Sequence, residues 1–265
     1  MSKAADLFSE NLDWLFWHST RPRTDSTWLG HIPFAHWLVG AARPRLVVEL
    51  GTMSGSSYAA FCESVVRNGF GTKCFAVDTW VGDQHMGEYG EHIFENLDAF
   101  NRERYAAFST LVRKTFDAAL GDFADDTIDL LHIDGTHTYE AVRHDFETWL
   151  PKLTDRAIVL FHDTDEKKED FGVWKLWGEL QTRYPSFTFT HFHGLGVLQV
   201  GAALEGPATA LFRLDDEAER QKVRQRFEAL GTNVRNLSYA IRMQREARQL
   251  AAVVKQMAAQ GKVVS

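Results

Sequence analysis

Residues 46–57 read Leu-Val-Val-Glu-Leu-Gly-Thr-Met-Ser-Gly-Ser-Ser, and this segment decides the fold. An apolar run ends at Glu49 and Leu50, a short glycine-containing loop follows, and small hydroxyl residues then open a helix. Such a turn lets the backbone approach a ligand closely and points free N–H groups toward it. Glu49 adds an acceptor for a cationic or hydroxyl group. The segment therefore predicts a strand, loop and helix that suit a ligand with amino and carboxylate groups.

The glycine spacing of this loop limits the kinds of ligand that it can bind. Dinucleotide-binding folds use Gly-x-Gly-x-x-Gly to admit a pyrophosphate, whereas this chain has Gly51 and Gly55 with Met53 between them. The spacing argues against a nicotinamide-dependent dehydrogenase. The alternative to a ligand site is a strand, turn and helix that only pack in the core.

Composition limits the classes of protein that this chain can represent. It has 265 residues, 45% of them hydrophobic, and a net charge of −7. Nucleic-acid binding is disfavoured, because it requires a basic face. Cys62 and Cys74 lack the spacing of a metal or redox site. Without a signal-peptide pattern or an apolar run long enough to span a membrane, the sequence predicts a cytoplasmic protein with no membrane partner.

The hydrophobic pattern alternates between strands and helices. Strands are predicted at residues 46–50, 73–78, 109–113, 128–133 and 157–161, with helices at 56–67, 91–107, 117–123 and 137–150. Residues 187–191 and 196–200 form a predicted hairpin. This order predicts an α/β fold: a Rossmann-like, mostly parallel sheet with helices on both faces, a terminal antiparallel hairpin and a C-terminal helical tail.

This pattern divides the chain into three predicted regions. Residues 1–44 are predicted to form an aromatic-rich helical segment that, with the loop at residues 81–90, closes over the substrate as a lid. Residues 45–205 form the ligand-binding domain, and residues 206–265 the helical tail. The tail either packs on its own domain or contacts another protein, including a second copy in a homo-oligomer.

Several predicted strands end in polar residues, and parallel strands bring their carboxyl ends to one edge of the sheet. Glu49, Asp78 and Asp134 each end a strand, and Thr115 with Phe116 follows another. An acid after the second strand can accept the hydroxyls of a ribose, although Asp78 can also serve as a turn residue. Thr115 and Phe116 lie where an adenine could rest.

The second polar cluster combines acids with histidines. Asp134 and the pair His162-Asp163 end adjacent predicted strands, and two carboxylates with an imidazole suit Mg²⁺, Mn²⁺ or another divalent ion. His137 follows Asp134 by one turn and is a candidate general base. The alternative is that His137 caps a helix and that His162 is a core histidine.

With these motifs, residues from about 28 to 201 resemble class I S-adenosylmethionine (SAM) dependent methyltransferases. The group that the chain resembles most is related to macrocin O-methyltransferase and cephalosporin hydroxylase-like proteins. The resemblance rests on the segment quoted above, on Asp-Leu-Leu-His-Ile-Asp-Gly-Thr-His-Thr-Tyr at residues 129–139 and on Leu-Phe-His-Asp-Thr at residues 160–164. Residues 171–177 and 194–198 extend it.

The resemblance implies roles for particular residues. The methionine part of SAM would contact Glu49, Gly51 and Ser57, and the ribose would contact Asp78. The full set of cofactor-binding residues is Glu49, Gly51, Met53, Gly55, Ser57, Asp78, Thr115, Phe116 and Asp134. The metal ligands would be Asp134, His162 and Asp163, although the family more often has an acid where His162 stands.

The resemblance also implies a function. It predicts a SAM-dependent, metal-assisted O-methyltransferase in which His137 is the base and the acceptor is a small-molecule hydroxyl, such as one on a sugar or glycoside. The alternatives are a metal-independent methyltransferase and a non-catalytic SAM-binding module that recruits a partner through its tail.

Overall fold

Seven strands form one sheet, in which residues 109–113, 73–78, 46–50, 128–133, 153–162, 195–199 and 186–189 lie side by side in that order. The computed structural model of the protein describes residues 7–8, 12–24, 26–83, 87–88, 90–168 and 170–259. Its strands are β1 (Leu46–Leu50), β2 (Lys73–Asp78), β3 (Gly82–Asp83), β4 (Gly87–Glu88), β5 (Ser109–Arg113), β6 (Ile128–Ile133), β7 (Leu153–His162), β8 (Ser186–Phe189) and β9 (Leu195–Gln199). Strands β5, β2, β1, β6 and β7 run parallel, and β9 is antiparallel to both β7 and β8.

Helices connect and cover these strands. They are α1 (Ile32–Ala42), α2 (Ser56–Asn68), α3 (His92–Tyr105), α4 (Phe116–Ala119), α5 (Tyr139–Trp149), α6 (Val173–Leu180), α7 (Thr209–Phe212) and α8 (Glu217–Ala259). Short 3-10 turns occur at Asp13–Phe16, Thr27–His31, Leu120–Asp122 and Leu150–Lys152. The predicted fold class is therefore confirmed, including the hairpin and the C-terminal helix.

The sheet is buried on both faces because its strands alternate between two apolar clusters. Val47 faces a cluster shared with α1, α2 and the start of α8, and Val48 faces a cluster shared with α5 and α6. A parallel sheet that is covered on both sides requires such continuous apolar strands. The polar residues at the strand ends therefore stand out as exceptions to this rule.

Several predicted elements differ from the observed ones at their boundaries, among them β7 and α5. Strand β7 begins at Leu153, four residues before the predicted start, because Leu153 pairs with Ile128 ahead of an irregularity in the register. Helix α5 begins at Tyr139 rather than at His137. Its cap is Thr138, whose hydroxyl accepts a hydrogen bond from the Ala141 amide at 3.3 Å, so His137 is not the capping residue.

The predicted lid lies only partly within the described residues. Of the loop at residues 81–90, residues 84–86 and 89 fall outside them, as do residues 1–6, 9–11 and 25 of the N-terminal segment. Residues 260–265 of the tail fall outside as well. Within the described chain, no helix combines the length and the apolar character needed to cross a membrane.

Candidate active site

The loop after β1 takes a backbone path that only particular residues allow. Gly51 has φ +83°, and a Cβ at this position would lie 2.1 Å from the Asp134 carbonyl oxygen. Met53 and Gly55 also have positive φ, a conformation that is strained for residues other than glycine. The glycine at position 51 thus lets the loops after β1 and β6 touch.

Asp78 fixes this loop from the neighbouring strand. Its Oδ2 accepts hydrogen bonds from the Thr52 and Met53 amides at 2.9 and 2.8 Å, and its Oδ1 accepts one from the Trp80 amide at 2.7 Å. The Trp80 indole in turn donates to the Met53 carbonyl at 2.8 Å. The acid at the end of β2 therefore holds the glycine loop in place.

Two adjoining cavities open at the carboxyl edge of the sheet. One of about 220 Å³ is lined by Trp28, Ser57, His137, His162 and Asp163, among other residues. The other, of about 270 Å³, is lined by Asp78, Thr115 and Phe116, among others. Both also border on Gly51, Met53, Asp134 and Gly135. Together they form an elongated site on the two sides of the glycine loop.

Most of the predicted cofactor residues meet at these cavities. Those that line one or both are Gly51, Met53, Ser57, Asp78, Thr115, Phe116 and Asp134. Gly55 lies behind the loop, where it caps helix α2. Glu49 lines neither cavity, and its predicted contact with the cofactor stays a prediction.

Glu49 lies instead in a buried chain of hydrogen bonds. The Trp28 indole donates to His132 Nε2 at 3.1 Å, and His132 Nδ1 donates to Glu49 Oε2 at 2.8 Å. Glu49 and His132 are fully buried and pair across β1 and β6. Because Trp28 also lines the first cavity, this chain positions one of the cavity walls.

Asp134, His162 and Asp163 form a compact set of metal-ligating groups. His162 Nδ1 lies 3.3 Å from Asp134 Oδ1 and 3.3 Å from Asp163 Oδ1. One potential ligand atom from each residue lies within 4.8 Å of those of the other two. The three residues come from the ends of β6 and β7, as the sequence predicts.

His137 lies beside this cluster and interacts with both acids. Its Nε2 is 2.9 Å from Asp163 Oδ2 and 3.7 Å from Asp134 Oδ1, and its ring stacks on Phe171 at 4.6 Å. Burial opposes a charge on His137, but hydrogen bonds to the two carboxylates raise its pKa to about 9. Burial likewise opposes ionisation of the two acids, yet the neighbouring histidines hold the pKa of both below the usual range.

Two further polar residues at the cluster were not found from the sequence. His193 Nδ1 lies 3.4 Å from Asp163 Oδ1 and 3.2 Å from Glu166 Oε2. His193 follows β8 and reaches Asp163 only because the hairpin folds back on β7. The one local signal is Gly194, which lies between the two strands of the predicted hairpin.

Comparison with known proteins agrees with this geometry. Residues 48–164 match a family described as a methyltransferase domain. The uncharacterized protein y4gI of Sinorhizobium fredii (strain NBRC 101917 / NGR234) is 50% identical over 195 residues, which make up 74% of this chain and 21% of that protein. The chain therefore spans about a fifth of the length of this relative.

Two solved structures share the fold at low sequence identity. Cofactor-bound Rv0187 from MTB superimposes with a TM-score of 0.51 at 16% identity, covering 75% of this chain and 87% of that one. The SAH-bound methyltransferase PaMTH1 of Podospora anserina gives 0.50 at 15% identity, covering 74% and 92%. The matched family shows that residues 48–164 form a methyltransferase domain, and the two solved structures share its fold.

Proposed function

We propose that this protein transfers the methyl group of SAM to a hydroxyl oxygen of a small molecule, assisted by a divalent cation. The observation that carries the proposal is the convergence of Asp134, His162 and Asp163 beside the glycine loop. A sugar or glycoside hydroxyl is the proposed acceptor, on the basis of the resemblance alone.

The two cavities suit the shape and chemistry of SAM. Gly51 and Ser57 lie where the amino-acid part would bind, and Asp78 borders the second cavity. In that cavity the Phe116 ring packs against the backbone of Gly135, so closely that a Cβ there would meet the ring at 2.5 Å. This flat apolar wall suits an adenine.

The donor set suits a divalent cation of the Mg²⁺ or Mn²⁺ type. Such ions prefer carboxylate oxygens, and Mn²⁺ also accepts imidazole. Asp134 and Asp163 would supply oxygen and His162 nitrogen. Bound SAM supplies the activated methyl group, and a cation beside the hydroxyl lowers the pKa of that hydroxyl.

The residues of the chain itself align the reactants and move the proton. The glycine loop would hold SAM in a fixed position. Alignment of two reactants in this way can lower an activation barrier by roughly 7–11 kcal/mol. His137 is the proposed base for the hydroxyl proton. Without a cation, its contacts with Asp163 and Asp134 keep it protonated, with a pKa of about 9. A cation held by the two carboxylates would lower that pKa, so that the imidazole could accept the proton. Trp28 and Phe171 border the same cavity and would exclude water from it.

Binding of Mn²⁺, followed by electron paramagnetic resonance, tests the metal site without an acceptor. We expect one bound ion in the metal-stripped protein, and affinity lowered by about tenfold or more in Asp134→Asn and Asp163→Asn, since each loses an anionic ligand. Asp155→Asn is the control, because Asp155 is exposed at the opposite end of β7. Equal binding by all variants would remove the metal site from the proposal.

A screen of hydroxylated acceptors with labelled SAM then tests the reaction. We expect turnover that is lost on chelation and restored by Mg²⁺ or Mn²⁺. His137→Ala should lower turnover by about 10²–10⁴-fold while leaving SAM affinity nearly unchanged, because a base acts on the acceptor. Full activity of the chelated enzyme would leave a methyltransferase without a metal role.

A further inference from the structure

A further cavity, separate from the two at the active site, lies between the N-terminal part of the chain and helix α8. One wall is residues 19–24, which we call the strap, and the other is the middle of α8. The cavity has a volume of about 660 Å³, within the range of small-molecule sites. Its lining residues are Ser19, Thr20, Arg21, Pro22, Arg23, Thr24, Asn96, Ser238, Ile241, Arg242, Arg245 and Glu246.

The charge of this cavity is opposite in sign to that of the whole chain. Among the described residues that line it, four are arginines and one is a glutamate, whereas the chain carries −7. Burial and the nearby Arg23 guanidinium lower the pKa of Arg21. Cations brought this close repel one another, so an anion between them would be stabilised.

Arg21 is held in position by contacts that include Ser54, a residue that lines the first active-site cavity. Its Nε donates to the Ser54 carbonyl oxygen at 2.7 Å, and its guanidinium lies over the Phe100 ring at 4.8 Å from the centroid. These contacts engage Nε and the ring face, and no Nη hydrogen bond to another described residue accompanies them. A guanidinium that is already ordered loses less entropy when it binds a ligand.

The opposite wall is ordered by contacts with the strap. Arg242 Nη1 donates to Thr24 Oγ1 at 2.9 Å, and the Tyr239 hydroxyl donates to the Thr24 carbonyl at 3.0 Å. Glu246 pairs with Arg242 through Nε at 2.7 Å. Arg245, one helical turn from Ile241, borders the same space.

We propose that this cavity binds a phosphoryl group of a small-molecule ligand. Guanidinium groups match phosphate oxygens in shape and charge, and the hydroxyl and amide groups of Ser19, Thr20, Asn96 and Ser238 suit a polar organic part. The volume exceeds what a phosphate alone would fill. The inference does not depend on the methyl-transfer reaction, since the cavity shares no lining residue with the two described above.

Calorimetric titration of the full chain with inorganic pyrophosphate tests the proposal. We expect saturable binding that weakens as salt is added and that falls by about tenfold or more in Arg245→Gln and Arg21→Gln, because each removes a charge-assisted hydrogen bond. Arg248→Gln is the matched control: the same change of charge on the same helix, outside the cavity. It should bind as the unmodified protein does.

The two arginine variants test the phosphoryl site independently of each other. Arg245 is exposed, so Arg245→Gln keeps the test valid even if Arg21→Gln fails to fold. Tighter binding of glucose 1-phosphate than of inorganic phosphate would assign the site to a phosphate ester, and equal binding would assign it to free phosphate. No binding of pyrophosphate, or equal loss in Arg248→Gln, would overturn the proposal.

Discussion

At the residue scale, Gly51 is a position where the effect of adding a Cβ can be tested. We expect Gly51→Ala to abolish measurable binding of S-adenosylhomocysteine and to lower the free energy of unfolding by about 1–3 kcal/mol or more. The reason is that its Cβ would lie 2.1 Å from the Asp134 carbonyl, at a φ of +83°. Calorimetry and chemical denaturation measure the two effects.

Gly69 provides the control for this prediction. It also has positive φ, at +68°, but an added Cβ would meet nothing within 4 Å. Gly69→Ala should therefore cost about 1 kcal/mol of stability while cofactor affinity is unchanged. Loss of binding in both variants would mean that backbone strain, rather than the contact with Asp134, determines the result.

Asp78 has two tasks, and its replacement should affect both. Asp78→Ala is expected to weaken S-adenosylhomocysteine binding by about 1.5–3 kcal/mol, the value of a hydrogen bond to a charged group. The sequence alone predicts that the fold stays intact in this variant. Because the carboxylate also accepts three backbone amides, we expect reduced stability as well. Unchanged affinity in calorimetry would remove Asp78 from the cofactor site.

At the scale of single elements, helix α5 carries an acid whose ionisation works against folding. Burial, with a further contribution from Asp117, raises the pKa of Asp145 to about 7, although His144 acts in the opposite direction. The folded state then holds a proton that the unfolded chain releases near the ordinary aspartate pKa of 3.8. Stability should therefore fall as the pH rises from about 4 to 7.

Asp145→Asn tests this pH dependence. The variant should be about as stable as the unmodified protein near pH 4 and more stable near pH 8, by on the order of 2 kcal/mol. Thermal unfolding at the two pH values measures the difference. Glu147→Gln, an exposed change on the same helix, should give no comparable gain, and an Asp145→Asn gain independent of pH would contradict the explanation.

The elements were largely predictable from the sequence, and the pairing between them was not. Strands β1, β2, β5 and β6 have the predicted bounds because apolar runs stop at acids, loops or turns in the local sequence. Whether Glu49 meets a ligand or His132 depends on the register of β1 against β6, which no local pattern encodes. The contact of His193 with Asp163 spans 30 positions and follows from the hairpin alone.

At the scale of the whole molecule, helix α8 both belongs to the core and extends beyond it. Val223 and Phe227 are fully buried, and Arg220 and Arg224 donate to the Ser186 and Thr188 carbonyls at 2.9 and 2.8 Å. The sequence alone predicts that a chain ending near residue 215 still binds SAM. The packing leads us to expect that it unfolds or loses most of its stability.

A pair of truncations tests this expectation. A chain ending at residue 247 keeps the contacts of Phe227, Tyr239 and Arg242 and should retain its stability and cofactor affinity. A chain ending at residue 215 should not show a cooperative thermal transition. Light scattering of the full chain and the longer truncation also tests the predicted homo-oligomer, because Leu250, Val254 and Met257 are exposed in the part removed.

The contacts between the strap and α8 have a consequence for the order of events during synthesis. Thr24 leaves the ribosome well before Tyr239, because the hydroxyl that donates to its carbonyl is 215 positions further along the chain. Domains usually begin to fold while they are being made, and contacts this distant in sequence form late. The strap, with the neighbouring wall that carries Trp28, can therefore take its final place only after nearly the whole described chain has emerged.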